Sequence, residues 1–389
     1  MIKTIKNRIN ILRKILSEKN LDTFMILVEE NRRYLSGFTG EDTAFDESAG
    51  ALFITGARLV LAIDSRYELQ AKQEARGYEI VCYKKGLADE LSNILKGLKT
   101  KKLGFESKRL SHMQYHKITG QLLSNGLQIK LVETKDIVEN LRIKKEKEEI
   151  ENIKKALFVA ESAFRNFIAN NIIMGMTEKE AAWEIEKGMR ETGADSISFP
   201  VIVASGPNSA LPHAIPGNRR IKKGEPILFD WGARINGYCS DISRTIVIGK
   251  PDETFLKVYE TVLNAQRMAI GAIRPGISSK AVDKIARNYI EKMGFKGKFN
   301  HGLGHGTGLA IHEYPGINPI KDTELDKGMV FTIEPGIYIP GWGGVRLENM
   351  VVVRENRAEV LNSLDCASAQ PQIHTERPLQ NHRYLSFRP

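Results

Sequence analysis

Two acidic pairs and a run of histidines in the second half of the chain are the residues best suited to do chemistry. In ILFDWGARINGYCSDISRT the pair is Asp230 and Asp241; in FTIEPGIYIPGWGGVRLEN it is Glu334 and Glu348. Two carboxylates held close together repel unless a cation or a proton lies between them. His213 sits in GPNSALPHA, and His301, His305 and His312 are grouped in HGLGHGTGLAIHEYP. Imidazole is a common metal ligand and proton carrier. Four carboxylates and one imidazole hold two divalent ions if some carboxylates bridge, and so oxygen-rich a set favours manganese, or cobalt and zinc, over copper. Two ions about 3.5 to 4 Å apart acidify a shared water and polarise a scissile carbonyl, which amounts to peptide hydrolysis without a covalent intermediate. The bland rival for any one acidic pair is a solvated strand edge.

The elements that must position these residues argue against that rival. Asn236-Gly237 predicts a type I′ hairpin turn, because both central residues need positive φ. Ile235 then faces Tyr238, Gly232 faces Asp241, and Asp230 becomes the diagonal neighbour of Asp241 on one face, with Gly232 clearing space above it. Glu334 and Glu348 flank a Pro/Gly-rich turn with a separation that directs both to one face, provided that no bulge in PGWGG breaks the parity. An internal repeat links the two ribbons. GMTEKEAAWEIEKGMRETG from Gly175 reads like GISSKAVDKIARNYIEKMG from Gly276, and KKGEPILFDWG matches DKGMVFTIEPG, so that Asp230 aligns with Glu334. In the first copy, Thr177 and Glu180 predict a capping box. A solvated edge does not account for acidic pairs at matching positions of a duplicated unit. Glycines 302, 304, 306 and 308 give the histidine run a backbone that can approach a site closely. Their spacing fits neither a dinucleotide nor a P-loop pattern. Arg346, on the strand face of Glu348, would either anchor a ligand carboxylate or balance negative charge.

The rest of the chain sets limits. Its 389 residues suggest two domains. Residues 1–135 alternate helical patterns with β-rich runs at 23–28, 51–55 and 58–63, an α/β domain. The catalytic part is expected at 136–365, and 366–389 reads as an irregular polar tail in which His374 and His382 are incidental. With 42% hydrophobic and 27% charged residues, the composition is that of a globular protein. The net charge of +10 suggests nucleic acid, but KKEKEEIENIKK interleaves lysine with glutamate as a solvated helix face does. Three scattered cysteines support neither a disulfide framework nor a Cys-rich zinc site and fit a reducing compartment. The N-terminal segment has apolar residues at helical spacing, unlike a secretion signal. No apolar run reaches the ~18 residues of a membrane span. A cytoplasmic location is expected.

With DWGARINGYCSDISRT, HGLGHGTGLAIHEYP and TIEPGIYIPGWGGVRLEN in view, together with NRRYLSGFTG and DSRYELQA, the chain resembles the proline-specific metallopeptidases of the pita-bread fold. That group contains aminopeptidase P and Xaa-Pro dipeptidase, and the likeness runs from about residue 5 to about residue 364. It implies an α/β N-terminal domain followed by an α+β pita-bread catalytic domain with an internal pseudo-two-fold repeat. It also implies that Asp230 binds one metal, that His305 and Glu334 bind the other, and that Asp241 and Glu348 bridge both. By the same resemblance, Glu334 shuttles a proton, His213 and His312 contact the substrate and stabilise the tetrahedral intermediate, and His301 and Arg346 line the pocket. A homodimer with an N-terminal domain over the neighbouring active site is a further implication. Asn349 departs from the Asp of many relatives. Gly316 stands where some microbial dipeptidases carry Arg, which inclines the reading towards an Xaa-Pro aminopeptidase, with the dipeptidase as its alternative. A non-catalytic binding protein is disfavoured by the filled ligand positions.

Overall fold

Apolar residues at Ile5, Ile9, Leu12 and Leu16 recur at helical spacing and are all buried along the helix Lys3–Glu18, so the chain opens with a docked helix. The computed structural model describes residues 3–44, 47–170 and 174–365. The tail from Cys366, with His374 and His382, lies outside the described residues. The chain divides into two compact units, Met1–Ile143 and Lys144–Pro389. The first is built on a six-stranded sheet in the spatial order Glu79–Tyr83, Leu59–Asp64, Gly50–Thr55, Thr23–Ile26, Lys102–Glu106, Lys130–Thr134. Its middle strands are almost continuously apolar and buried, as a sheet covered on both faces requires. Helix Ile137–Arg142 closes this unit, with Arg142 donating to Asn31 Oδ1 at 2.8 Å and the Tyr34 hydroxyl donating to Leu141 O.

In the second unit the sequence repeat becomes a repeat of hydrogen bonds. The N–H of Gly175 reaches Ile221 O and that of Gly276 reaches Leu325 O; Ile221 and Leu325 donate back to Met176 and Ile277. Gly224 and Gly328 both lie in the left-handed region, at φ 85° and 86°, which is why each copy carries glycine there. The helices that follow, Glu178–Glu191 and Ser279–Ile290, are capped by Thr177 and Ser278, and the first has the predicted capping box. One copy contributes the strand Pro226–Trp231, flanked by Ile242–Val247 and Ile202–Ser205. The other contributes Val330–Ile333 and Asn349–Val353 to a five-stranded sheet whose far edge holds Gly304–Gly306 and Glu313–Ile317.

Strand alternation directs the chemistry. Phe229 and Trp231 point to the helix Lys147–Asn170, where Phe164 stacks on Trp231 at 4.2 Å between centroids and the indole N–H donates to Ala160 O at 2.9 Å. Asp230, between them, must face the other way. The same helix accounts for its charged sequence: Ile150, Ile153, Leu157 and Phe164 are buried, while Lys147, Glu148, Glu151 and Lys155 face solvent. Trp231 is 0% exposed. Trp231→Ala is therefore expected to cost about 3–5 kcal/mol through the lost ring contacts and the cavity left behind. Urea unfolding of the full chain checks this, and a loss near zero would mean that the ring does not hold the strand.

Candidate metal centre and active site

The first ribbon keeps one register from its turn to its base. Ile235 faces Tyr238, Arg234 faces Cys239, and beyond a break Trp231 faces Ile242 and Asp230 faces Ser243. Gly232 thus stands opposite Asp241, as predicted from Asn236-Gly237, whose residues both have positive φ. The reason for Gly232 differs from the expectation of cleared space. A Cβ there would lie 1.9 Å from Ser240 O, so the glycine admits the partner strand's carbonyl where the ribbon bends. The second ribbon also holds its register across a break: Ile333 faces Asn349 and Gly336 faces Arg346. The turn Pro340–Trp342 introduces no slip, so Glu334 and Glu348 stand opposite each other on one face. At the break each is pinned elsewhere, Glu334 N–H on Leu303 O and Glu348 N–H on Ser243 O. The Gln266 amide donates to the carbonyls of both Ile333 and Leu347.

The alternating glycines of the histidine run are likewise packing residues. None is among the positive-φ glycines, but a Cβ on Gly304 would lie 1.9 Å from Thr332 O and one on Gly306 would lie 2.3 Å from Tyr314 O. They draw the neighbouring strands against His305, whose N–H is received by Thr332 Oγ1.

His213, Asp230, Asp241, His301, His305, His312, Glu334, Arg346 and Glu348 all line one cleft of about 400 Å³. Phe199, Pro200, Ile202, Pro212 and Ile311 supply its apolar wall. His213 and His312 lie at the exposed rim, and the His312 ring packs edge-on against His305 at 4.3 Å. At the floor, His305 Nε2 is 3.5 Å from both Asp241 Oδ2 and Glu334 Oε1. The other ring nitrogen, Nδ1, faces Gly306 O at 3.1 Å, and a proton there leaves the Nε2 lone pair aimed at the carboxylates. Burial holds the His305 pKa down, which keeps the ring neutral. A lone pair facing anionic oxygens at 3.5 Å is not a hydrogen bond. It is a spacing that an ion at ~2.0–2.2 Å from each atom would occupy.

The carboxylates tell the same story. Burial, reinforced by Glu348, Asp230 and Glu334, raises Asp241 well above its ordinary range. Burial and the charges of Glu334 and Asp230 do the same to Glu348, and burial pushes Glu334 up to about 7. Asp230 Oδ1 is buried without a hydrogen-bond partner among the described residues, while Oδ2 accepts from Arg346 at 2.6 Å. Oxygen atoms of Asp241 and Glu348 and a nitrogen of His305 lie within 4.8 Å of one another. An unpartnered oxygen, a neutral imidazole lone pair and carboxyls penalised for ionising together fit a divalent cation.

Arg346 is committed elsewhere than to a ligand. Its guanidinium donates to Asp230, Ser243 Oγ, Tyr338 Oη and Pro212 O, with the side chain 4% exposed. This is the charge-balancing alternative. Tyr338 also contacts His301 Nε2 at 2.9 Å, and burial with Arg346 nearby drops the His301 pKa to about 3. Ser243 links Arg346 to Glu348 Oε2 at 2.9 Å. Asn349 retains a role through Oδ1, which accepts from Arg244 at 2.9 Å. Sequence reasoning missed Tyr338, Ser243 and the buried pair of Lys145 with Glu313 at 2.5 Å, which braces the loop after Gly306. The ribbon register would have revealed Tyr338, the diagonal neighbour of Arg346; nothing local marks Lys145.

The pH dependence of the metal-free protein follows from these shifts. Carboxyls raised in the folded state bind protons that the unfolded chain releases, so stability falls as pH rises through that window. Histidines lowered in the fold act oppositely, but those of the unfolded chain are already half deprotonated at about pH 6.5 and neutral by about pH 7.5, so the carboxyls dominate. Chelator-treated protein is therefore expected to lose thermal stability between about pH 6.5 and about pH 8, and Glu348→Gln to flatten that loss. A rising profile in differential scanning calorimetry would contradict the assignment.

Comparison with known proteins now identifies the relatives. Residues 151–355 match the model of metallopeptidase family M24, and residues 8–144 match the creatinase/prolidase N-terminal domain. The chain is 40% identical to the Xaa-Pro dipeptidase of Pyrococcus furiosus over 93% of its own length and 99% of that protein. The solved structure of an Xaa-Pro dipeptidase from Bacillus anthracis superposes with a TM-score of 0.86 at 38% identity, covering 93% of this chain and 98% of that one. An X-Pro aminopeptidase from Thermotoga maritima gives 0.83 at 36%, covering 92% and 98%. The match extends over the residues of both units, the fold is that of the pita-bread prolidases, and the chain belongs to metallopeptidase family M24.

Proposed function

We propose that this protein hydrolyses the peptide bond between an N-terminal residue and a following proline, and that its preferred substrates are Xaa-Pro dipeptides. The observation carrying the catalytic part is the convergence of Asp241 and Glu334 at 3.5 Å on the His305 lone pair. The aminopeptidase reading inferred from Gly316 gives way to the dipeptidase one. Gly316 is a strand residue paired with His305, and a Cβ there would meet only the movable end of the Asn318 side chain. Relatives bearing the dipeptidase name match at 40% and 38% identity. The aminopeptidase from Thermotoga maritima keeps tripeptides as the second reading.

In this proposal Asp230, Asp241, His305, Glu334 and Glu348 hold two divalent ions, of which manganese suits the oxygen-rich set best, with cobalt or zinc as alternatives. Four carboxylates and one guanidinium leave a net negative floor that such cations offset. When bound, the ions supply an acidified water and a polarised scissile carbonyl. Glu334 carries the proton between nucleophile and leaving amine. His213 and His312 at the rim contact the substrate and stabilise the tetrahedral intermediate. The second of these is held neutral by burial and by His305, with a pKa of about 4. Arg346 and Tyr338 keep Asp230 and His301 in place while His301 presents its ring to the cleft. Phe199, Pro200 and Ile311 give the proline ring an apolar surface. The free thiols Cys82 and Cys239 suit a cytoplasmic location, and a homodimer is part of the reading. Among the described residues no helix is long and apolar enough to cross a membrane.

Purified protein with added Mn²⁺ is expected to split Xaa-Pro dipeptides with a higher kcat/KM than Xaa-Pro-Yaa tripeptides. Preference for tripeptides would return the assignment to an aminopeptidase, and activity on neither would refute proline specificity. Ser243→Ala removes the hydroxyl joining Arg346 to Glu348 and is expected to weaken metal binding about 10–100-fold. His305→Ala should lose tight metal binding and turnover together; unchanged isothermal titration curves for both variants would sink the ligand assignment.

A further inference from the structure

A pair of exposed histidines in the first unit has no part in the chemistry above. The helix His112–Ser124 begins at Ser111 with a capping box, in which Ser111 Oγ accepts from Gln114 N–H and the Gln114 side chain accepts from Ser111 N–H. Buried Ile118 and Leu122 anchor it, and Tyr115 packs on Phe105 at 5.7 Å. Positions 112 and 116 lie one turn apart on one helix face. Their Nε2 atoms approach to 2.9 Å, with ring centroids 4.3 Å apart. The Tyr115 ring meets His116 edge-on at 5.8 Å, which restrains its orientation.

With metal–nitrogen bonds of ~2.0–2.1 Å, two donors at adjacent corners of a square or an octahedron sit ~2.9 Å apart, whereas tetrahedral ligands sit ~3.3 Å apart. We propose that His112 and His116 form a second metal site, a two-nitrogen chelate for a copper- or nickel-type divalent ion whose remaining positions are filled by water. On binding, the ring whose Nε2 donates moves that proton to its own Nδ1, which frees both Nε2 lone pairs for the ion, and the capped, anchored helix holds both donors before binding, which reduces the ordering cost. Nitrogen donors select ions at the copper end of the divalent series, while the carboxylate-rich floor of the second unit suits harder ones. The chain then carries a nitrogen-only site apart from the oxygen-rich one.

The test titrates the untagged full chain with Cu²⁺ in excess Mn²⁺, reading electron paramagnetic resonance and equilibrium binding. Wild type and His305→Ala are expected to bind one Cu²⁺ with two equatorial nitrogens. His112→Gln and His116→Gln should each abolish that two-nitrogen signature and weaken the apparent Kd at least about tenfold, through loss of one of two nitrogen donors. Thermal unfolding without metal should be unchanged. Persistence of the signature in both Gln variants, or its absence from wild type, overturns the proposal and leaves a simple imidazole–imidazole hydrogen bond.

Discussion

The second unit is organised around mutual repulsion. Asp241, Glu334 and Glu348 are penalised for ionising by burial first and by the charge of Asp230 beside all three, and they face a neutral imidazole that cannot neutralise them. No arrangement of the described residues relieves this completely. Arg346 offsets one charge by bonding Asp230, yet Asp230 Oδ1 still lacks a partner. Much of the surrounding structure can be read as the framework that holds these groups where they would not stay by themselves. The second ribbon breaks its ladder at Glu334 and Glu348, where Leu303, Ser243 and the Gln266 side chain take over the freed backbone groups; in the first, Asp241 lies at the break while Asp230 stays paired with Ser243. Hydrogen bonds from outside the second ribbon thereby hold its two carboxylates together.

Duplication provides the two ribbons, but the copies have diverged in how they aim their carboxylates. In the first, the shorter Asp230 and Asp241 are diagonal neighbours across a hairpin with a two-residue turn. In the second, the longer Glu334 and Glu348 face each other directly across a three-residue turn. The supports differ too. The first ribbon leans on an aromatic stack of Trp231 and Phe164, the second on one amide, Gln266, that clamps both of its arms. The histidine strand completes the cleft because glycine at 304 and 306 lets the Thr332 and Tyr314 backbones come within Cβ distance of it.

The face and register of the acidic residues were legible in the sequence because they follow from strictly local rules. Asn236-Gly237 fixes a turn, strand alternation fixes sides, and the aligned glycines 224 and 328 expose the repeat. What could not be read depends on partners distant along the chain. Gly232 looked like open space and instead receives Ser240 O; the glycines of the histidine run looked like access and are close backbone contacts. Arg346 had two readings until Asp230, Ser243 and Tyr338 were seen to use its donors. Lys145 and Glu313 are separated by far more chain than any pattern spans, so their pairing carried no signature. The choice between dipeptides and longer peptides rested on a single strand position, Gly316, whereas relatives matching over almost the whole chain bear the dipeptidase name.

The most direct trial of the account is anomalous diffraction from crystals of the active enzyme soaked in Mn²⁺. Two peaks about 3.5 to 4 Å apart are expected on the cleft floor, one of them within bonding distance of His305 Nε2 and both touching Asp241 and Glu348. A fully active crystal with no peak between those side chains would contradict it.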